Sequence, residues 1–315
     1  METDTDMAVS SFDLAVVGHF SADTIHLPTR KAPLNILGGA ATYTSLAAKC
    51  LDASVRVISR VGAAFPQAYF WWLQGEGIDL SAVIQHPEEP TTGFELTYSP
   101  DFASRTLKLK SKGCPLTLED LPKDYHAKVV HLGPIANEIS YEVAEELKKS
   151  ADLLSLDPQG LLRSFDEAGN VSDNALVDNH IFSLINIYKS SLLEVFALTG
   201  ETDLKHAIRA VHDVGVETVI ITMGEKGSVL SVEGAQYKIA ACPSLVLVDP
   251  TGAGDAFIGG FLTEYVRQKE TLWCAAVGSA SASCVVEAPG STYFGKKEEI
   301  YRRATVLHEK ELKQY

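Results

Sequence analysis

The residues best suited to chemistry lie in one stretch, Val246-Leu247-Val248-Asp249-Pro250-Thr251-Gly252-Ala253-Gly254-Asp255-Ala256-Phe257-Ile258-Gly259-Gly260-Phe261. A short apolar run, of the kind a buried strand supplies, meets a glycine-rich turn and then an amphipathic pattern. Gly252 and Gly254 free the backbone of that turn. The unpaired N–H groups at the start of the following helix would face into it and attract an anion. Asp255 stands out, because a carboxylate beside an anion hole repels a phosphate unless it takes part in the chemistry. Two roles suit it. It takes the proton of a substrate hydroxyl as a phosphoryl group arrives, or it caps the helix. An isolated motif of this length favours the cap, since short motifs match by chance.

The surrounding elements alternate. Residues 13–18 read as a first strand, followed by Asp23 where a strand ends and a loop begins; an aspartate there accepts hydrogen bonds from a substrate or simply makes a turn. Leu37-Gly38-Gly39-Ala40-Ala41-Thr42-Tyr43 is a Gly-Gly turn feeding a helix of small residues. A strand at 55–59 and a helix at 67–75 follow, with Trp71 and Trp72 expected to pack. Residues 88–111 break the alternation. Segments 91–98 and 105–110 each alternate apolar and polar about a turn at 99–104, a hairpin inserted in an α/β chain. It would serve as a lid, with its other strands drawn from residues 20–37. Further strands are expected at 128–133, 153–157, 182–187, 217–222 and, antiparallel, 228–232. Helices are expected at 140–149, to a stop at Thr199-Gly200, at 203–214, 272–286 and 298–307. Strand–helix repeats imply right-handed crossovers and a mostly parallel sheet, whose strand ends bind ligands.

The 315 residues, 46% hydrophobic and 22% charged, are globular in composition and enough for one large α/β domain or two small ones; a single domain over 1–315 is the expectation. A balance of 27 Lys+Arg against 41 Asp+Glu, net −14, argues against nucleic acid as the main partner. It leaves room for ATP, which needs only a local anion site. Met1-Glu2-Thr3-Asp4-Thr5-Asp6 lacks the order of a signal peptide, and no apolar run reaches the length of a membrane span. A cytoplasmic location is expected. Cys50, Cys114, Cys242, Cys274 and Cys284 form no CxxC pair and suit free thiols. No HExxH pattern suggests zinc, and His131 inside an apolar run reads as a packed histidine. The absence of GxGxxG after the first strand and of GxxxxGK[ST] disfavours a nicotinamide or P-loop enzyme.

Four features recur in order: Asp23, Gly38-Gly39 opening a helix, Thr222-x-Gly224-x-x-Gly227, and Asp249-x-Thr251-Gly252-Ala253-Gly254-Asp255. Together they resemble the ribokinase (pfkB-type) carbohydrate kinases, over residues 13 to about 290. The resemblance implies a ribokinase-like fold: a doubly wound, mostly parallel sheet flanked by helices, with a small β lid from about 20–37 and 88–111. It implies an ATP-dependent phosphotransferase using Mg²⁺. By motif, Asp255 is the catalytic base, and Gly252, Ala253 and Gly254 form the anion hole. Lys189, Ser191, Thr222, Gly224 and Gly227 lie along the nucleotide, and Glu194 holds Mg²⁺ through water. Asp249 and Thr251 match positions near a monovalent-cation site of some members, which adds K⁺ as a candidate ion.

Two departures matter. The family commonly has Asn-x-x-Glu where this chain has Ser191-Leu192-Leu193-Glu194, and Thr42 stands where ribokinase-like members often have Asn. The second points away from ribose. Gly38 to Tyr43, the lid stretch and Asp157-Pro158-Gln159-Gly160-Leu161-Leu162-Arg163-Ser164-Phe165-Asp166 look most like the inositol kinases. By that likeness Asp23, Gly38, Gly39, Thr42, Gln159 and Arg163 form the acceptor site. A polyol offers many hydroxyls and no charge, so its site needs a fan of donors and acceptors. Asp23, Gln159 and Arg163 supply both, which puts myo-inositol first. The alternative is a kinase for a nucleoside or another sugar, with Phe20, Phe94, Tyr98 and Phe102 as a slot for the base. A non-catalytic sugar-binding protein is disfavoured, since Asp255, the anion-hole glycines and Glu194 are all kept. A monomer and a lid-paired homodimer both stay open. In this company Asp255 reads as the base, and a place in the first turn of a helix is compatible with that role.

Overall fold

The computed structural model describes residues 10–102, 104–174, 180–310 and 312–314. Its strands are β1 (Ser10–Val17), β2 (Ser21–His26), β3 (Leu34–Gly38), β4 (Val55–Gly62), β5 (Asp79–His86), β6 (Gly93–Tyr98), β7 (Arg105–Ser111), β8 (Tyr125–Leu132), β9 (Ala151–Leu156), β10 (Arg163–Phe165), β11 (Val171–Asp173), β12 (Ile187–Ser191), β13 (Thr218–Thr222), β14 (Ser228–Val232), β15 (Ala235–Ile239) and β16 (Leu312–Gln314). Its helices are α1 (Ala40–Cys50), α2 (Gln67–Gly75), α3 (Tyr141–Lys148), α4 (Gln159–Leu162), α5 (Leu192–Thr199), α6 (Leu204–Asp213), α7 (Ala253–Tyr265), α8 (Thr271–Val285) and α9 (Lys297–Lys310).

The main sheet runs β16-β15-β14-β13-β12-β9-β8-β1-β4-β5. From β13 to β5 every pairing is parallel, and β14, β15 and β16 add an antiparallel edge. This is the mostly parallel sheet that the strand–helix alternation predicts, doubly wound as the family resemblance implies. Successive residues of β1 face opposite layers. Leu14 and Val16 join the core beneath α1, α7 and α8, while Ala15 and Val17 join that beneath α3, α5 and α6. Burial on both faces explains why the strands read as continuous apolar runs. The chain winds outward from β1 to β5, then returns to β8 on the other side of β1. The crevice above the carboxyl ends of β1 and β8 is therefore a topological switch point, where open α/β sheets bind ligands.

A second sheet, ordered β3-β2-β6-β7, covers that crevice. The central pair β2–β6 is parallel and its flanks are antiparallel. Ile25, Phe94, Leu96 and Tyr98 point inward against Ala40, Ile135 and Ala136, while Glu95 on the outer face pairs with His26 at 3.0 Å.

Several expectations are corrected. Residues 182–187 are not a strand. His180–Leu184 is a 3-10 turn that buries Phe182 against Tyr188, and the ladder begins at Ile187, once Asn186 has bonded Leu154 and Thr218. An apolar run signals burial and does not by itself select a strand. Residues 246–248 are likewise no strand. They cross the end of α8, with Val248 N–H donating to Val286 O at 2.8 Å, and Leu245 is 85% exposed. Asp23 lies inside β2, not in a loop after a strand. Trp71 is exposed, whereas Trp72 packs on the core and donates to Glu76. His131, by contrast, is the packed histidine expected: it is buried with Nδ1 bonded to Ser155, and burial pulls its pKa down to about 3. Among the described residues no helix is long and apolar enough to cross a membrane.

Candidate active site

The crevice between the two sheets is a cavity of about 500 Å³. Its floor comes from strand ends and helix starts: Asp157 after β9, Lys189 and Ser191 in β12, Thr222 closing β13, and the turn into α7. Its roof comes from β2, β6 and β7, and α4 supplies a side wall with Gln159.

The turn before α7 is shaped by a left-handed Gly252 at φ 76° that serves as the helix N-cap. A Cβ there would also run into the Tyr43 ring, so glycine is required twice over. Asp255 sits in the first turn of α7 without capping it. Its Oδ1 accepts from Gln159 Nε2 at 3.0 Å. Burial pushes its carboxyl up to about 6; Lys189 opposes this and Asp157 adds to it. Near neutral pH such a group is mostly ionised and still basic, the state a general base needs. Lys189 lies beneath the turn, with Nζ 2.7 Å from where a Cβ of Gly254 would stand, and forms a buried ion pair with Asp157 at 2.5 Å.

On the roof, Asp23 is buried and its Oδ1 accepts from Phe94 N–H at 3.1 Å. Gly38 is required here, because a Cβ would overlap the Asp23 carboxylate. Burial pushes Asp23 up to about 6, against the pull of Arg163 and Arg105. Tyr98 OH bonds Thr251 Oγ1 at 2.8 Å and accepts from Arg105 Nη1 at 3.3 Å, which ties the second sheet to the turn before α7.

The structure gathers Asp23, Gly39, Gln159, Arg163, Lys189, Ser191, Glu194, Thr222, Gly224, Thr251, Gly252, Ala253, Gly254 and Asp255 around the cavity. Thr42 is not among them. It is buried in α1 and its hydroxyl donates to Gly38 O at 2.6 Å, so it shapes the Gly38-Gly39 turn instead. Gly227 also lies off the cavity, closing the turn from β13 to β14 with its carbonyl on Met223 N–H. Asp249 stands behind the wall, its carboxylate engaged by Thr251 and by Gly290 N–H. Ser191 and Glu194 form a capping box on α5, in which Glu194 Oε2 accepts from Ser191 N–H at 2.7 Å. The Ser-x-x-Glu spacing carries that signal in the sequence. Of the four aromatic residues offered as a base slot, Phe20 is fully buried against Phe65 and drops out. Arg105 and Tyr43 line the cavity without having been singled out; the signal for Arg105 is its place on the Leu107 and Leu109 face of β7, opposite Tyr98 of β6.

The pfkB carbohydrate kinase family model matches residues 11–298. This chain belongs to that family. It is a phosphotransferase that acts on a hydroxyl group. A cytidine kinase of Thermococcus kodakarensis is 31% identical over 283 residues, 88% of this chain and 97% of that protein. An inositol 3-kinase of Oryza sativa subsp. japonica is 30% identical over 300 residues, 90% of this chain and 70% of that one. The solved nucleoside kinase of Methanocaldococcus jannaschii, described as an archaeal member of the ribokinase family, superposes with a TM-score of 0.75. It is 24% identical and covers 94% of this chain and 99% of its own, a likeness of fold. Relatives of comparable identity thus bear names for two acceptor classes, and family membership alone leaves the acceptor open.

Proposed function

We propose that this kinase transfers the γ-phosphoryl group of ATP to a hydroxyl of an uncharged cyclic polyol, myo-inositol first. The observation that carries this reading is the acceptor end of the cavity. Asp23 and Arg163 face it as acceptor and donor, and the Arg163 guanidinium covers the Phe94 ring at 5.5 Å from its centre. An aromatic face already stacked by arginine is taken from a nucleobase, and a donor and acceptor set suits a ring of hydroxyls. Asp255 draws off the proton of the attacking hydroxyl. The N–H groups of the turn before α7 meet the phosphoryl group in flight.

Among the lining residues, Arg105, Arg163 and Lys189 face four acids, Asp23, Asp157, Glu194 and Asp255. A triphosphate adds negative charge to a site whose acids already outnumber its bases, so counter-charge has to arrive with it. Mg²⁺ held through Glu194 would neutralise the phosphates during transfer. Residues 20–37 and 88–111 act as the lid of a single catalytic unit spanning the chain, excluding water that would hydrolyse ATP. K⁺ near Asp249 and Thr251 belongs to the same proposal, as does work in the cytoplasm.

The nucleoside reading has one observation of its own, the Tyr98–Phe102 pair with ring centres 5.8 Å apart beside the cavity. Measuring ATP consumption across inositols, hexoses, pentoses and nucleosides separates the two. The polyol reading expects the highest kcat/KM with an inositol. Preference for cytidine or another nucleoside overturns it.

A further inference from the structure

Gln159 has both ends of its amide engaged by protein. Its Nε2 donates to Asp255 Oδ1 at 3.0 Å, and its Oε1 accepts from Arg163 Nη2 at 2.8 Å. Arginine can only donate, so it fixes which way the amide faces: the oxygen must turn to Arg163 and the NH₂ to Asp255. Arg163 is itself anchored, since its Nη1 donates to Ile135 O at 2.9 Å. Ile135 is held in turn by the buried carboxylate of Glu138, which accepts from the N–H groups of His19, Ile135 and Ala136. A chain of hydrogen bonds thus runs from the switch-point crevice to the carboxylate at the start of α7.

We propose that Gln159 is a positioning residue. It holds Asp255 by Oδ1, leaves Oδ2 to the acceptor hydroxyl, and has its own orientation set by Arg163. The inference rests on the reading of Asp255 as the base, and it moves Gln159 from touching substrate to governing that base. A neutral N–H donor aimed at one oxygen stabilises the ionised carboxylate without neutralising it. The charged groups around Asp255 are Lys189 on β12, Asp157 after β9, Arg163 beside α4 and Arg105 on β7. Burial and those charges act on the whole carboxylate, whereas the amide engages one oxygen, Oδ1, and so leaves the other free to take the proton.

The test uses the full chain with Gln159→Met and Gln159→Glu. Carboxyl-carbon NMR titration of Asp255 needs no substrate. The proposal expects its midpoint to rise by about one pH unit in Gln159→Met, from loss of one charge-assisted hydrogen bond. It expects a larger rise in Gln159→Glu, where two carboxylates share one site. The acid limb of kcat/KM, measured with myo-inositol or with cytidine if that is the faster acceptor, moves by the same amount. The KM for ATP stays within about twofold. A midpoint unmoved in a folded Gln159→Met, together with a raised acceptor KM, overturns the proposal and returns Gln159 to substrate contact. Turnover retained by Asp255→Asn would instead remove the base assignment, a failure the substrate-free titration keeps separate.

Discussion

The floor and the roof of the cavity are built differently. On the floor, residues that meet in space also sit at fixed local positions: strand ends carry Asp157, Ser191 and Thr222, and the first turn of α7 carries Asp255. The roof is assembled from segments far apart in sequence. Asp23 on β2 is held by Phe94 of β6, and Tyr98 of β6 reaches across to Thr251. A floor made of element ends suits one reaction repeated across a family, because strand ends and helix N-termini hold phosphates wherever they occur. A roof of alternating strands lets every second side chain change without disturbing the fold, so acceptor choice can be rewritten there.

If this division holds, floor variants should lose turnover and roof variants should lose acceptor recognition. The largest effect is expected from Asp255→Asn, a fall in kcat of about 10³-fold with the KM for ATP within about twofold; steady-state kinetics check it, and an equal rise in KM would blur the division. Asp23→Ala should lower acceptor kcat/KM by about 10²-fold and leave ATP affinity unchanged, as isothermal titration would read. Gly252→Ala forces a side chain into a left-handed position against Tyr43, and should cost about 2 kcal/mol of stability in a denaturant melt while also lowering kcat.

The pH dependence follows from the same carboxylate. With Asp255 raised to about 6, kcat/KM should fall about tenfold per pH unit below that point. The stability effect has the opposite sense. A carboxyl raised in the folded state disfavours folding once it ionises, so the penalty is absent below the ordinary carboxylate range and complete above about pH 6. Asp255→Asn should therefore melt higher than wild type above pH 6, and the gap should close on acidification. The smallest effect is expected from Tyr98→Phe, which cuts the bond between roof and floor and should change kcat by about tenfold or less. A change confined to acceptor KM would place Tyr98 wholly with the roof.

Much of the floor was legible because its signals are local. The GAGD turn, the strand ends and the Thr199-Gly200 helix stop each combine residue type with a short spacing, and α5 does end at Thr199 with a left-handed Gly200. The capping box Ser191-x-x-Glu194 is equally local, its spacing alone marking the start of α5. The roof was legible as a hairpin but not as contacts. The alternation of 105–110 does put Arg105 on the face of Leu107 and Leu109 and Lys110 on the opposite one, but which of those faces meets the cavity is decided by pairing with β6, where Arg105 stands opposite Tyr98 and Lys108 opposite Glu95. Hydrophobicity alone misled at 246–248 and 182–187. One run lies partly exposed over α8 and the other is buried in a turn, and both would read as strands.

None of the three tryptophans touches the cavity. Trp71 stands in solvent, Trp72 packs from α2 onto the core, and Trp273 on α8 donates to Glu264 Oε2 at 2.7 Å in the helical layer. Selectively excited tryptophan emission therefore has no reporter in contact with whatever binds between the two sheets, where Tyr43 and Tyr98 are the fluorescent residues, while it reads the loosening of that layer directly. The same emission can follow unfolding at saturating ligand without direct contact between ligand and reporter. A tryptophan placed at Phe102, beside Tyr98 at the mouth of the cavity, would add the missing optical channel for binding.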